Sequence, residues 1–193
     1  MRLQVGGRWA VLTALFICAS VHAQAPPSVA RLKSCAQCHG EDGNSLNAGT
    51  PSIAAQPRIF LENYLVLTRE GLRGSDAMQR LLKGLPDRDI LAFARHYSSL
   101  KAVPAPGAVD RVLFERGRAI AARSRCASCH LPDYSGREQM PRLAGQREEF
   151  LLEVMLQYRQ NRRRGGDTMM SAALHGIPES EFPALAHFFS RLK

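Results

Sequence analysis

The sequence predicts an all-α protein built as two copies of one small helical unit. Three observations carry this reading. Apolar residues recur at helical spacing in several stretches, and no alternating strand pattern competes with them. The two halves align with each other in order and spacing. Each half opens on the same kind of pentapeptide, Cys35-Ala36-Gln37-Cys38-His39 and Cys126-Ala127-Ser128-Cys129-His130.

The repeat continues well beyond these pentapeptides. Pro51-Ser-Ile-Ala-Ala-Gln56 matches Pro141-Arg-Leu-Ala-Gly-Gln146. Met78-Gln-Arg-Leu-Leu-Lys-Gly-Leu-Pro86 matches Met170-Ser-Ala-Ala-Leu-His-Gly-Ile-Pro178, and Asp89 to Leu100 matches Glu181 to Leu192. From His39 to Met78 is 39 residues, and from His130 to Met170 is 40. The expected organisation is a leader over 1–23, a first unit over 24–100, a linker over 101–108 and a second unit over 109–193.

Taken in order, the elements read as follows. Residues 1–23 carry Arg2 and Arg8, an apolar run from Trp9 to Ala19, and small residues in Val21-His22-Ala23. This is the pattern of a secretory signal cleaved after Ala23. The apolar run is too short for the roughly 20 residues of a membrane span. In the first unit, Ala25-Pro26-Pro27 leaves room for only a short helix ahead of the pentapeptide. Arg58 to Glu70 reads as a helix, and a last helix starts at Pro86-Asp87 and runs to about Leu100. Lys101-Ala-Val-Pro-Ala-Pro-Gly-Ala108 is a Pro-, Ala- and Gly-rich join, stiffened by two prolines. In the second unit, Val109 to Arg125 places Val112, Leu113, Ile120 and Ala121 on one helix face. Arg147 to Gln160 is a further helix, and the last one starts at Pro178-Glu179 and runs to about Leu192. Proline and acidic residues suit those starts. The segments around Met78 and Met170 are read as loops. Each unit is small for a self-sufficient core, so a bound group must supply apolar surface.

The pentapeptides name that group. C-x-x-C-H is the attachment signature of c-type haem. Cys35 and Cys38, and Cys126 and Cys129, lie one helical turn apart to meet the two vinyl groups of one haem each. His39 and His130 then reach the iron. Zinc is the alternative for Cys and His, but a His directly after the second Cys is poorly placed for a tetrahedron, and no further Cys pair follows. Two covalently bound haem c groups are therefore expected. After leader removal, which discards Cys18, the four remaining Cys all lie in the two motifs. Such attachment happens outside the bacterial cytoplasm, so the motifs and the leader agree on the periplasm.

The sixth iron position separates a carrier from a catalyst. Met/His ligation raises the potential and suits electron transfer. Met78 is the sole Met of the first half after the leader. In the second half Met169 and Met170 compete, with Met140 and Met155 also present, and the repeat selects Met170, since Met78 and Met170 stand seven residues before Leu85 and Ile177 respectively. Pro51 and Pro141 follow their His by 12 and 11 residues, and a Pro carbonyl can accept the other ring N–H of an iron-bound His. His96, His175 and His187 are read as ordinary residues. Arg162-Arg163-Arg164 reads as a solvated loop, or as a contact for haem propionates or an acidic partner.

Charge adds little discrimination. The full sequence holds 26 basic and 17 acidic residues. Removing the leader takes two Arg and leaves a net charge of +7. A positive surface steers acidic partners or simply keeps the protein soluble. Nucleic acid is excluded as a partner, because the compartment is wrong and aromatic interleaving is absent.

With these residues in place, the chain resembles the dihaem cytochromes c of the cytochrome c4 type over about residues 30–193. The likeness rests on both haem motifs, Gly40-Glu41-Asp42-Gly43-Asn44, the P-x-(I/L)-A-x-Q segments, and the Met segments followed by acidic helix starts. It implies two tandem class I cytochrome c domains related by pseudo-twofold symmetry, with haem propionates near the domain interface. It also implies periplasmic electron transfer among redox proteins. The donor would be a quinol-oxidising cytochrome bc complex or a dehydrogenase, and the acceptor a terminal oxidase. Some relatives associate peripherally with the membrane. No protein residue is expected to do acid–base or nucleophilic work. Alternatives are an electron-accepting subunit of a periplasmic dehydrogenase and, more remotely, a haem peroxidase. One departure stands out: Leu131-Pro132-Asp133-Tyr134 replaces the Gly-x-Asp-Gly that follows His39, which predicts altered surroundings for the second haem.

Overall fold

The computed structural model describes residues 29–193, so the expected leader lies outside the described residues. The helices are α1 (Val29–His39), α2 (Arg58–Arg69), α3 (Asp76–Leu82), α4 (Asp87–Ser99), α5 (Arg111–Arg123), α6 (Ala127–His130), α7 (Glu148–Arg159), α8 (Thr168–His175) and α9 (Phe182–Arg191). No strand occurs among the described residues; an isolated bridge joins Arg137 and Met140. The fold is all-α, as the sequence predicts. No helix among the described residues is long and apolar enough to cross a membrane.

Three local differences from the sequence reading have physical causes. The segments around the two Met residues are helical, not loops. Ser75 caps α3 by accepting from the Met78 N–H, and Asp167 caps α8 by accepting from the Met169 and Met170 N–H groups. Each satisfies donors that a short helix otherwise leaves open. The last helix of the second half is broken, with a 3₁₀ turn over Glu179–Glu181 preceding α9. A single α-helix from Glu179 would put Pro183 in its interior, where the ring clashes with the carbonyl four residues back. Starting afresh at Phe182 puts that proline in the first turn, where it is tolerated. Third, the linker owes its fixed course to more than its prolines. Asn44 holds its start, donating to the Lys101 carbonyl and accepting from the Val103 N–H. Arg191 donates to the carbonyls of Ala105, Pro106 and Ala108 at its end. His187, read as ordinary, is buried and accepts at Nε2 from the Asp110 N–H at 2.9 Å. Its Nδ1 donates to Glu148, which also pairs with Arg191 at 2.8 Å.

Each half has its own core. In the first, Leu61, Leu82, Ile90, Phe93 and Tyr97 join α2, α3 and α4. In the second, Ile120, Leu151, Leu174, Phe182, Leu185 and Phe188 join α5, α7, α8 and α9. The helix pair α5 and α9 crosses closely at Gly117. A Cβ there would lie 2.1 Å from the Ala184 carbonyl oxygen and 2.6 Å from the Phe188 Cβ. In the first half the counterpart α1 is tied to α4 by Arg31 and Asp89 at 3.3 Å.

The turn after each motif follows one path despite its different residues. Gly40 and Gly43 take φ of 84° and 75°; Leu131 and Tyr134 take 70° and 57°. The Gly43 carbonyl accepts from the Ile53 and Ala54 N–H groups, and the Tyr134 carbonyl from those of Leu143 and Ala144. The replaced residues therefore change side chains, not backbone course. Tyr134 recovers its cost by ring contacts to Phe188 and Phe189, at 5.6 and 4.9 Å between centroids. Leu131, at φ 70° and ψ 159°, sits in a region that glycine alone enters freely, at a cost of about 1–3 kcal/mol.

Two opposite outcomes are expected in denaturant titrations of the holoprotein. Gly117→Ala overpacks a backbone-to-backbone crossing and destabilises by about 1–3 kcal/mol. Leu131→Gly relieves the left-handed strain and stabilises by about 1 kcal/mol, the upper end being limited by glycine's greater freedom when unfolded.

Candidate haem-binding sites

The two motifs end helices. α1 carries Cys35, Cys38 and His39 on its last turns, and the short α6 ends on His130. One thiol of each pair, Cys35 or Cys126, packs against the core of its half, while Cys38 and Cys129 are exposed. Burial raises the Cys35 and Cys126 thiols above the usual range. None of the four is paired in a disulfide among the described residues.

His39 and His130 are only 6% and 7% exposed. His39 Nδ1 lies 2.8 Å from the Pro51 carbonyl oxygen, and His130 Nδ1 lies 2.8 Å from that of Pro141. A carbonyl accepts only, so each Nδ1 carries the hydrogen and each Nε2 keeps its lone pair. Burial lowers both histidines below their ordinary range, against a smaller opposing effect of the carbonyl bond. Burial thus favours the neutral imidazole, and the carbonyl bond orients it with Nε2 available to a metal.

Met78 on α3 packs at the edge of the first core, and Met170 on α8 at the edge of the second. Met169 is 74% exposed. Of the two adjacent sulfurs that the sequence leaves in competition, only that of Met170 turns toward the core. His175 is exposed. The Arg162–Arg164 run is not simply solvated. Arg163 donates to Gln157 and lies over the Tyr158 ring at 5.5 Å. Arg164 crosses to the first half and pairs with Asp76 at 2.6 Å.

The residues present fit a haem. Among the described residues no cluster of three or more His, Cys, Asp and Glu could hold a metal ion, whereas a zinc tetrahedron needs four ligands. Buried guanidinium nitrogens of Arg73, Arg142, Arg147 and Arg163 lack hydrogen-bond partners among the described residues. Such atoms are costly unless met by an acceptor, and each haem brings two carboxylates. Arg73 and Arg163 hold matching repeat positions, each beside an aromatic ring of its own half. Burial brings Arg142 down to about 10. The sequence reading missed Arg73 and Arg142. The signal for Arg73 was its match to Arg163; for Arg142, it was a cation next to Pro141 in an otherwise apolar segment.

Paired C-x-x-C-H helix ends, each with a buried imidazole held by a proline carbonyl and, in the same half, a methionine on a short capped helix at the edge of the core, define a protein of two c-type haem modules. The family profile described as Cytochrome c matches residues 114–193. Cytochrome c4 of Pseudomonas aeruginosa is 26% identical, over 94% of this chain and 96% of its own. Cytochrome c-554(548) of Halomonas halodenitrificans is 36% identical over 72 residues, which are 36% of this chain and 87% of that protein. The crystal structure of reduced recombinant cytochrome c4 from Pseudomonas stutzeri superposes with a TM-score of 0.76 at 26% identity, covering 88% of this chain and all of that one. The chain belongs to the cytochrome c family. It is a dihaem electron-transfer protein of two tandem class I cytochrome c domains, with two covalently bound haem c groups.

The caps that hold the methionine helices are testable. Asp167→Ala removes the acceptor for two N–H groups of α8 and is expected to cost about 0.5–2 kcal/mol, read by denaturant titration.

Proposed function

We propose that this chain is a periplasmic carrier moving single electrons between respiratory partners, with His39 and Met78 as axial ligands of one haem and His130 and Met170 of the other. Cys35, Cys38, Cys126 and Cys129 tether the two groups. The domains are residues 24–100 and 109–193, joined by 101–108 and preceded by a leader over 1–23. A single observation carries the reading: both buried imidazoles donate through Nδ1 to a proline carbonyl at 2.8 Å, the arrangement that leaves Nε2 for iron.

Bound haem supplies a one-electron ferric/ferrous couple, and a Met/His ligand pair places it at higher potential. The chain's own residues do the rest. The thiols fix the group, and each proline carbonyl holds its imidazole in one tautomer. The core-facing sulfurs of Met78 and Met170 would supply the second ligand to each iron. No side chain is assigned proton transfer or nucleophilic attack. The donor is a quinol-oxidising cytochrome bc complex or a dehydrogenase, and the acceptor a terminal oxidase, met in peripheral association with the membrane. Encounters with such partners are weak and small in area, and the net +7 charge of the mature chain steers acidic surfaces.

A redox-titrated visible spectrum of the holoprotein tests this. Expected are two low-spin haems with the weak long-wavelength band of sulfur ligation, slow to bind carbon monoxide. Met170→Leu removes that band from one haem, and Met169→Leu leaves the spectrum unchanged. Rapid carbon monoxide binding with peroxide turnover would instead make the protein a peroxidase. Co-purification at fixed stoichiometry with a flavin or quinone-cofactor subunit would make it part of a dehydrogenase.

A further inference from the structure

The two halves are joined by a pair of reciprocal side-chain clamps. Gln146 donates from Nε2 to the Ser52 carbonyl at 2.9 Å and accepts at Oε1 from the Ser52 N–H at 2.7 Å. Gln56 donates to the Arg142 carbonyl at 3.1 Å and accepts from the Arg142 N–H at 2.9 Å. Gln56 and Gln146 hold the same repeat position, as do Ser52 and Arg142, so the contact is isologous. All four residues are buried.

The position of these clamps carries the argument. The Ser52 N–H and the Pro51 carbonyl belong to one planar peptide unit. That carbonyl accepts from His39 Nδ1 at 2.8 Å. A continuous chain therefore runs from the His39 ring, through a single peptide group, to Gln146 Oε1 in the other half. The second chain runs from His130 through the Pro141–Arg142 peptide to Gln56 in the first half. Hydrogen bonds in series polarise one another, the more so in a dry interior. An acceptor on the peptide N–H makes its carbonyl a stronger acceptor for the imidazole N–H. A stronger bond at Nδ1 raises the basicity of the ring, which favours the ferric iron.

We propose that Gln56 and Gln146 are positioning residues that relay each proximal imidazole's hydrogen bond into the opposite domain, so that each glutamine sets the ferric preference of the haem in the domain it does not belong to. This deepens the proposed function and rests on His39 and His130 being iron ligands.

The experiment is potentiometric, on the holoprotein. Gln146→Met keeps the side chain's length and removes both hydrogen bonds. It is expected to weaken the ferric preference of the first-domain haem by three- to tenfold, a rise of up to about 59 mV for one electron, with the second haem little changed. Gln56→Met gives the mirror result. Each potential is assigned to its domain by NMR titration of the His39 and His130 rings. Equal movement of both haems in each variant, or movement of the same-domain haem, would overturn the relay and leave a merely structural clamp. If either variant loses haem, deuterium exchange on the unaltered holoprotein decides. The Ser52 and Arg142 amides are expected to be protected along with the two ring N–H groups, and free exchange of either amide overturns the relay. Failure of the ligand assignment itself is distinct, because the unaltered protein would then lack low-spin six-coordinate spectra.

Discussion

An imidazole N–H held by a proline carbonyl is the constraint around which each half is arranged. To bring Pro51 back to His39, the chain must fold a loop of 12 residues into a compact turn, and the same holds for Pro141 and His130 over 11. That loop has no helix or ladder to satisfy its backbone, so it must find partners elsewhere. It finds them in the residue after the motif's first turn, whose carbonyl takes two N–H groups, and in the last helix of the half. The Ala55 N–H donates to the Tyr97 carbonyl at 2.9 Å, and the Gly145 N–H to that of Phe189 at 2.8 Å. The final helices thus do more than pack. Their C-terminal carbonyls, unpaired within the helix, anchor the loop that positions each imidazole. Tyr97 and Phe189, which match in the repeat, supply this anchor through their backbone and fill the core with their side chains.

What the sequence made legible were the features with period or fixed spacing. The haem motifs, the duplication, and helices α2, α4, α5 and α7 are all of that kind, since amphipathic runs of about 12 residues announce themselves. The short helices α3 and α8 did not, because seven or eight residues give barely two turns of pattern, and their stability comes from caps and tertiary contact rather than propensity. Ser75 and Asp167 were the available signals. His187 was missed for a different reason. Its role depends on Asp110 and Glu148, 77 and 39 residues away, and no local pattern encodes that meeting. The choice of Met170 over Met169 rests on repeat arithmetic; the side chain of Met170 packs at the edge of the second core. Gln56 and Gln146 were visible as matched residues in P-x-(I/L)-A-x-Q, yet their reach into the opposite half could not be read from spacing.

Duplication has not kept the halves equal, and the difference concentrates beside the second imidazole. Where the first half has Ser52, whose hydroxyl accepts from the Ser45 N–H at 3.1 Å, the second has Arg142. Its backbone fills the same role in the clamp, so the repeat geometry tolerates the exchange. Its side chain turns back into the interface, donating to the Ala54 carbonyl of the first half at 2.9 Å and to the Ala144 carbonyl of its own. Carbonyl dipoles alone are thin support for a buried cation, because taking an ion out of water costs several kcal/mol even after relaxation. The lowering of Arg142 to about 10 by burial expresses that cost.

A cation so placed makes sense when the missing counter-charge is part of the holoprotein. Each covalently held haem carries two carboxylates, and the chain leaves unpartnered buried guanidinium nitrogens on Arg73, Arg142, Arg147 and Arg163 rather than carboxylates of its own. Arg147 also pairs with Glu149 at 3.2 Å; the open nitrogens on the other three are donors that haem carboxylates would meet. The asymmetry sits beside the proposed ligands. Arg142 is buried and belongs to the peptide whose carbonyl holds His130, while the first half has a neutral serine at that place. Two modules of one ancestry thus differ in charge at a single repeat position, with no change in the motif or the proposed ligands.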